Sequence, residues 1–563
     1  MEDFTHKMQT KKPIIYQMLP RLWGNDTASP VHNGDLEENG TGKFSDIDTN
    51  TLEYIKWLGC SHVWFTGIIR HSTLASEHGC TPSHPQFVKG KAGSPYAICD
   101  YFDVNPYLAD NPSDRMLEFE NLIQRTHEHD LKVIIDFVPN HVARDYGKGP
   151  EASPKNRLGK NDDKTVHWRH SNDFFYYPGE SLRLPKPCPE GIQPYVEYPA
   201  MATGNNCYTP EPGINDWFET IKINYCDDYN DTWEKMYEII EFWASKGVDG
   251  FRCDMVELVP PQFFKWLIER IKKTNPELIF IAEVYKKDLY SEYIRNVGFD
   301  YLYDKSGLYD TVRAIVEKNA NDDGMPVELW QSTTGITRNW QSLGDLQPYM
   351  LNFLENHDEQ RFGSDFFGKR PEDTMAALAV SLFLNTAPFM VYFAEEVGER
   401  GMEHEGFSGC DGRTTIFDWW SIDSVKRLRS VITNGSYKLL DVERLVASGM
   451  DIQEARLFVK FASALKIAST DSAIINGTTY DLCYCNYGSD GFNKDKHFAF
   501  LRDYEEHIVL IAVNFSDNDA KMKLTIPEHA FEWMEIKTSE TLYPGCIYEV
   551  NVPAKEYTMI TLI

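Results

Sequence analysis

Eight short apolar runs separated by longer amphipathic stretches constrain this chain more than any other feature. The runs are IIYQML (14–19), HVWFTGI (62–68), LKVIIDFVPNH (131–141), VDGFRCD (248–254), LIFIAEVY (278–285), FDYLYD (299–304), MLNFLENHD (350–358) and FMVYFAEE (389–396). Between them lie stretches of helical periodicity, among them NTLEYIKWLGC (50–60), 116–129, TWEKMYEIIEFWASKG (232–247) and PQFFKWLIERIKKT (261–274). Near-continuous apolar runs suit strands covered on both faces, and helical crossovers between them impose parallel pairing. Eight such strands predict an α/β fold, a closed (β/α)8 TIM barrel. The alternative, a doubly wound open sheet, needs a glycine-rich phosphate loop after an early strand, and none follows Leu19 or Ile68.

Two regions break the alternation. The chain from 142 to 231 has no clear helix–strand pair and is rich in Pro, Gly, Asn and aromatic residues. A connection this long signals a functional insertion, here a subdomain over the C-terminal end of the third strand. After 475 the pattern changes to strands and turns, as in HIVLIAVNFSD and AKMKLTIPE. The expected organisation is therefore a barrel over 1–141 and 232–475, an inserted B subdomain over 142–231 and a C-terminal all-β sandwich over 476–563.

With a formal net charge of −29 the chain is a poor partner for nucleic acid or an anionic membrane, both of which reward a basic face. Its eleven cysteines are scattered and form no CxxC pair. Cys483 and Cys485, read as alternate residues of a strand, face opposite ways and do not form a disulfide. A reducing compartment follows. The first residues, MEDFTHKMQTKKP, show no secretory h-region, and no run of 18 apolar residues exists, so a cytoplasmic location is expected.

Ionisable residues gather at the ends of the predicted strands: Asp136, Asn140 and His141 on the third, Arg252 and Asp254 on the fourth, Glu283 on the fifth, His357 and Asp358 on the seventh. In a barrel all these ends face one bowl. Taken singly, Arg252 and Asp254 suit a structural ion pair as well as a nucleophile with its positioning cation. Asp136, deeper in its strand, suits a structural partner inside the barrel mouth.

The segments DFVPNH, GFRCDMVE, AEVY and FLENHD, in that order on strands three, four, five and seven, resemble the four signature segments of the α-amylase family of glycoside hydrolases (family 13). The likeness covers nearly the whole chain, with the insertion and the β-rich tail matching the family's B and C domains. It implies a retaining hydrolase of α-1,4-glucosidic bonds in starch-, glycogen- or maltodextrin-like glucans, with Asp254 as nucleophile, Glu283 as general acid/base and Asp358 as transition-state stabiliser. Retention needs two carboxyls about 5 Å apart. Arg252 beside the nucleophile is expected to keep Asp254 ionised. By the same resemblance His141 and His357 bond the sugar, and Tyr96 stacks beneath it.

The sequence also departs from the family pattern. Glu257 and Leu258 stand where α-amylases carry a lysine–histidine pair on the leaving-group side. The family's calcium contact from that histidine is a backbone carbonyl, which Leu258 still offers, and Asn140 matches the calcium-binding asparagine. Calcium is thus the one cofactor the resemblance implies, and no organic cofactor is expected. A calcium site needs six or more oxygens, of which Asn140 is one. Ala97 replaces the Asp that often follows the stacking tyrosine in enzymes acting on terminal glucose, which favours an open site on a glucan chain. A first strand near Ile14 is read as leaving no room for an N-terminal domain. Two rival readings are a transglycosylase using the same intermediate and a non-catalytic barrel kept as a binding module. Members of the second kind lose catalytic carboxylates and carry a membrane anchor; here all three carboxylates are present.

Overall fold

The eight apolar runs form one closed parallel barrel. The structure, a computed structural model, describes residues 12–76, 81–317, 331–405 and 409–563. The N-terminal segment read above for a secretory signal lies largely outside these residues, as does Cys80. The barrel strands are β1 (Ile14–Met18), β2 (His62–Phe65), β3 (Lys132–Phe137), β4 (Gly250–Cys253), β5 (Ile279–Ala282), β6 (Tyr301–Tyr303), β7 (Met350–Phe353) and β8 (Phe389–Tyr392). Each pairs with its neighbours in sequence, and β1 closes the ring on β8 through Ile14 opposite Phe389. Ile14, Val63, Val133, Ile134, Phe280, Ile281, Leu351 and Phe389 are completely buried, the reason these strands read as unbroken apolar runs.

Helices cover the outside of the ring. The helix Asp231–Ser245 returns the chain to the barrel after the insertion. Its Trp243 is fully buried, meets Phe119 edge to face at 5.8 Å, and donates its indole N–H to the Tyr101 carbonyl at 2.9 Å.

Residues 142–231 contain only short strands: His141–Ala143 pairs antiparallel with Thr220–Lys222, and Tyr176–Tyr177 with Ala200–Met201. Much of their order comes from buried polar groups. Arg144, with no exposed surface, donates to Glu197 (2.7 Å), Thr203 (2.8 Å) and the Phe218 carbonyl (2.9 Å). Asp173 ties the insertion to the returning helix, accepting from Thr232 at 2.8 Å and Lys235 at 2.7 Å.

Beyond the barrel, Thr478–Asp481, His497–Tyr504, His507–Asn514 and Tyr557–Thr561 form a four-stranded antiparallel sheet, accompanied by the pair Ala520–Thr525 and Ile547–Val552. Short helices Cys483–Asn486 and Glu528–Met534 interrupt the strands. Cys483 and Cys485 are therefore in a helical turn and not on a strand as expected. The Asp481 carboxylate accepts from the Cys483 N–H at 2.7 Å and turns the chain out of the sheet. Both cysteines are free thiols. No helix among the described residues is long and apolar enough to cross a membrane.

The packing makes Trp243→Ala a strong test of how this helix is seated. Removing a buried indole is expected to cost about 3–5 kcal/mol, seen as a lower midpoint in thermal or urea unfolding.

Candidate active site

The register of β3 and β4 sets the site. Arg252 lies directly beside Asp136, so the two side chains share one face, the barrel interior. The Arg252 side chain has no exposed surface. Its guanidinium lies 5.4–5.6 Å from the ring centres of Trp64, Tyr96 and Tyr303. One Nη bonds Asp254 at 2.6 Å and lies 3.6 Å from Asp136; the other lies 2.9 Å from Glu283. A single cation thus touches three carboxylates from three strands.

The loop after β4 completes the shell around Glu283. Met255 takes a left-handed conformation (φ 46°), and its N–H donates to Glu283 Oε2 at 2.8 Å. That conformation costs a non-glycine residue roughly 1–2 kcal/mol, a strain spent on aiming this donor. The Tyr285 hydroxyl donates to Glu283 Oε1 at 2.6 Å. Glu257 in turn accepts from the N–H groups of Tyr285 (2.5 Å) and Lys286 (2.7 Å). The carboxylate standing in the family's lysine position is therefore an anchor for the chain after β5.

On the opposite side, His357 is held between strands. The Gln17 amide donates to His357 Nδ1 at 2.8 Å and to Thr66 at 3.0 Å, which places the ring hydrogen on Nε2. Nε2 then faces the Tyr96 hydroxyl at 2.5 Å and Asp358 at 3.1 Å. Tyr96 also donates to Asp136 at 3.3 Å, and Trp64 donates to the same carboxylate at 3.0 Å. Asp136 is an internal tether, as its depth in the strand suggests.

The cleft above these groups, about 240 Å³ and open to solvent, is lined by Tyr96, His141, Asp254, Glu283, Tyr285 and Asp358. The insertion contributes Trp217, Glu219 and Thr220, and the chain beyond β8 contributes Ile416 and Phe417. Glu219 is paired with Lys89 at 2.7 Å. The structure thus brings Tyr96, His141, Asp254, Glu283 and Asp358 to one cleft, with Arg252 and His357 directly behind it.

Electrostatics corrects one expectation. Burial is the largest influence on Asp254 and pushes its carboxyl well above the usual range; Arg252 opposes this, and Glu283 adds to it. Arg252 does not keep Asp254 at a low pKa, because its charge is divided among three carboxylates in a dry cluster. Asp358 behaves differently. Burial pushes it up, but His357, Arg252 and Arg413 outweigh burial and hold it down at about 2. Burial, aided by Lys222, pushes His141 down to about 3, so its imidazole is neutral near pH 7.

Asn140 is not placed in a calcium shell. Its amide nitrogen donates to the Gly204 carbonyl at 2.8 Å, and its oxygen accepts from the Lys222 ammonium. The same ammonium donates to the Leu258 carbonyl at 2.7 Å. The two oxygens that the family resemblance offers to calcium both face a lysine, and this donor set does not fit the ion. Among the described residues no three His, Cys, Asp or Glu side chains group as a metal site.

Sequence reasoning missed Gln17, Trp64, Tyr285 and Lys222. A glutamine inside the otherwise apolar IIYQML was the one visible signal among them.

A closed parallel barrel with an insertion after its third strand, gathering three carboxylates and a buried arginine at its C-terminal rim, has the build of a glycoside hydrolase. The family profile "Alpha amylase, catalytic domain" matches residues 30–438, and the chain belongs to the α-amylase family. It is 25% identical over 417 residues to alpha-amylase 3 of Dictyoglomus thermophilum, covering 70% of this chain and 66% of that protein. It is 21% identical over 419 residues to neopullulanase 2 of Thermoactinomyces vulgaris, covering 71% and 59%. To a probable oligo-1,6-glucosidase of Bacillus subtilis it is 23% identical over 583 residues, covering 91% of each. The chain thus spans about two thirds or less of the first two relatives. Among solved structures, the cyclic α-maltosyl-(1→6)-maltose hydrolase of Arthrobacter globiformis shares the fold with a TM-score of 0.62 at 15% identity, covering 98% of this chain and 99% of that one. A noncanonic maltogenic alpha-amylase from Thermotoga neapolitana does so with a TM-score of 0.56 at 18% identity, covering 98% and 96%.

Two outcomes follow from the site. Tyr285→Phe removes a hydrogen bond to Glu283, an interaction typically worth about 0.5–1.5 kcal/mol, and is expected to lower kcat by about two- to ten-fold with little change in KM. Asp358, held near 2 against an ordinary 3.8, contributes stability that is present above its ordinary pKa and is lost as pH falls through about 2. The melting temperature of the wild type minus that of Asp358→Asn is therefore expected to fall on going from pH 4 to pH 2, measured by scanning fluorimetry.

Proposed function

We propose that the protein is a retaining hydrolase of α-1,4-glucosidic bonds in starch-, glycogen- or maltodextrin-like chains, working through a covalent glycosyl–Asp254 intermediate. The observation that carries this reading is the single guanidinium bridging Asp254 and Glu283. A shared planar cation favours the short carboxyl separation of about 5 Å that retention uses over the wider one of inversion.

In this reading Glu283 delivers its proton to the glycosidic oxygen as Asp254 attacks the anomeric carbon. The bond to the leaving sugar breaks and an ester to Asp254 forms. Glu283, now a carboxylate, takes a proton from water, whose oxygen displaces Asp254 and regenerates both groups. Asp358, ionised near pH 7, faces the positive charge that develops on the sugar. Tyr96 and Trp217 offer aromatic surfaces to the sugar, and neutral His141 offers a hydrogen bond. The named relatives, an amylase, a neopullulanase and an oligo-1,6-glucosidase, support a glucan as substrate.

A second reading is transfer of the glycosyl group to a sugar hydroxyl. It is favoured by the apolar wall of Trp217, Ile416 and Phe417, which offers an acceptor sugar a better surface than it offers water.

Asp254→Asn and Glu283→Gln are each expected to lower kcat/KM on maltooligosaccharides by at least about a thousand-fold, within the range of general acid–base effects. Retention of wild-type rates by both variants overturns the assignment. Proton NMR of the first products separates the stereochemistries, an initial β-anomer excluding retention. Chain-lengthened products at high maltooligosaccharide concentration identify transfer.

A further inference from the structure

Lys222 is buried at 4% exposure in the returning strand of the insertion, directly across from His141. Its ammonium joins segments far apart in sequence: the Asn140 side chain beyond β3 and the Leu258 carbonyl beyond β4. Asn140 extends the link to Gly204 inside the insertion. A buried amine needs oxygen partners or its desolvation is uncompensated. Here the partners are the Asn140 side-chain oxygen and the Leu258 carbonyl, the pair that the family resemblance would give to a metal ion.

We propose that Lys222 is a built-in cation that replaces a structural calcium ion between the insertion and the barrel, and that through the Met255–Leu258 loop it positions the Glu283 carboxyl. The path is continuous. Lys222 fixes Leu258; the same loop carries the Glu257 carboxylate that anchors Tyr285 and the Met255 N–H that reaches Glu283. Tyr285 closes the circuit on the other Glu283 oxygen. On the same face of this strand pair, Lys222 stands directly across from His141 at the cleft wall. An ion binds only while its concentration is sufficient, whereas a tethered amine is present at any ion concentration. Burial lowers the Lys222 amine to about 7, so the charged link between the insertion and the Met255–Leu258 loop is complete below that pH and weakens as pH rises through it.

The positioning role rests on the assignment of Glu283 as general acid; the replacement of the ion does not, and the tests separate them. For the wild-type protein, excess EDTA or millimolar calcium is expected to leave the melting temperature unchanged. A fall in EDTA that calcium restores overturns the replacement. Lys222→Met, which keeps the stem and removes the donors, is expected to lower the melting temperature by several degrees, with Lys222→Arg recovering part of the loss. A methionine variant as stable as wild type overturns the proposal. Should that variant fail to fold, the calcium and EDTA comparison on wild type still decides the replacement, and Lys222→Arg decides the positioning. Positioning is read from substrates: kcat/KM of the lysine variant should fall at least ten-fold more on maltotriose than on an aryl maltoside whose leaving group needs no proton. Equal losses on both overturn positioning, while equal losses of an Glu283→Gln variant on both overturn the acid assignment itself.

Discussion

The site depends on one constraint, that the Arg252 guanidinium is buried without any contact with solvent. A buried charge of this kind must be met by opposite charge and by polarisable surfaces, or the fold does not hold it. Asp136 on β3, Asp254 beyond β4 and Glu283 beyond β5 supply the charge, and the rings of Trp64, Tyr96 and Tyr303 supply the surfaces. Because the guanidinium is planar and rigid, meeting this demand also fixes the carboxylates relative to one another. Stabilising the barrel mouth and arranging its chemistry are the same act. The burial that makes the arrangement firm also raises the Asp254 carboxyl.

Around this centre the polar side chains each answer to a partner on another strand. Gln17 on β1 sets the tautomer of His357 beyond β7, and His357 in turn meets Tyr96 from the chain after β2 and the Asp358 carboxylate. The barrel brings all these ends together because parallel strands with helical returns leave their C-terminal ends on one rim. The insertion after β3 adds what the rim lacks, a wall with Trp217, Glu219 and Thr220 over the open cleft.

Much of this was legible in the sequence. The eight apolar runs gave all eight barrel strands, because strands buried on both faces leave an unbroken apolar signal. Asp254, Glu283 and Asp358 were legible because their segments are short, ordered and placed at strand ends. Contacts that cross the fold were not. Lys222 meets Asn140 over a separation of 82 residues, and nothing local marks a lysine on a three-residue strand as internal. Tyr285 read as the last residue of a strand, since its hydrogen bond to Glu283 depends on how the chain turns after β5. Cys483 and Cys485 misled for the opposite reason. They were read as alternate residues of a strand, but the Asp481 carboxylate captured the backbone donor two residues on and began a helical turn.

The segment MVEL after Asp254 joins these contacts. Each residue from 255 to 258, apart from Val256, turns a polar group to a task the barrel needs: the Met255 N–H holds Glu283, the Glu257 carboxylate anchors the Tyr285 turn, and the Leu258 carbonyl receives Lys222. A lysine at position 257 would lose the two backbone donors that Glu257 accepts, and would bring a second cation close to Lys222. A calcium ion at Asn140 would compete with Lys222 for both of its oxygens. The departures at 257 and 258 are thus consistent with a lysine at 222. Glu257, bound to the turn, is not free to meet the leaving-group side of a substrate.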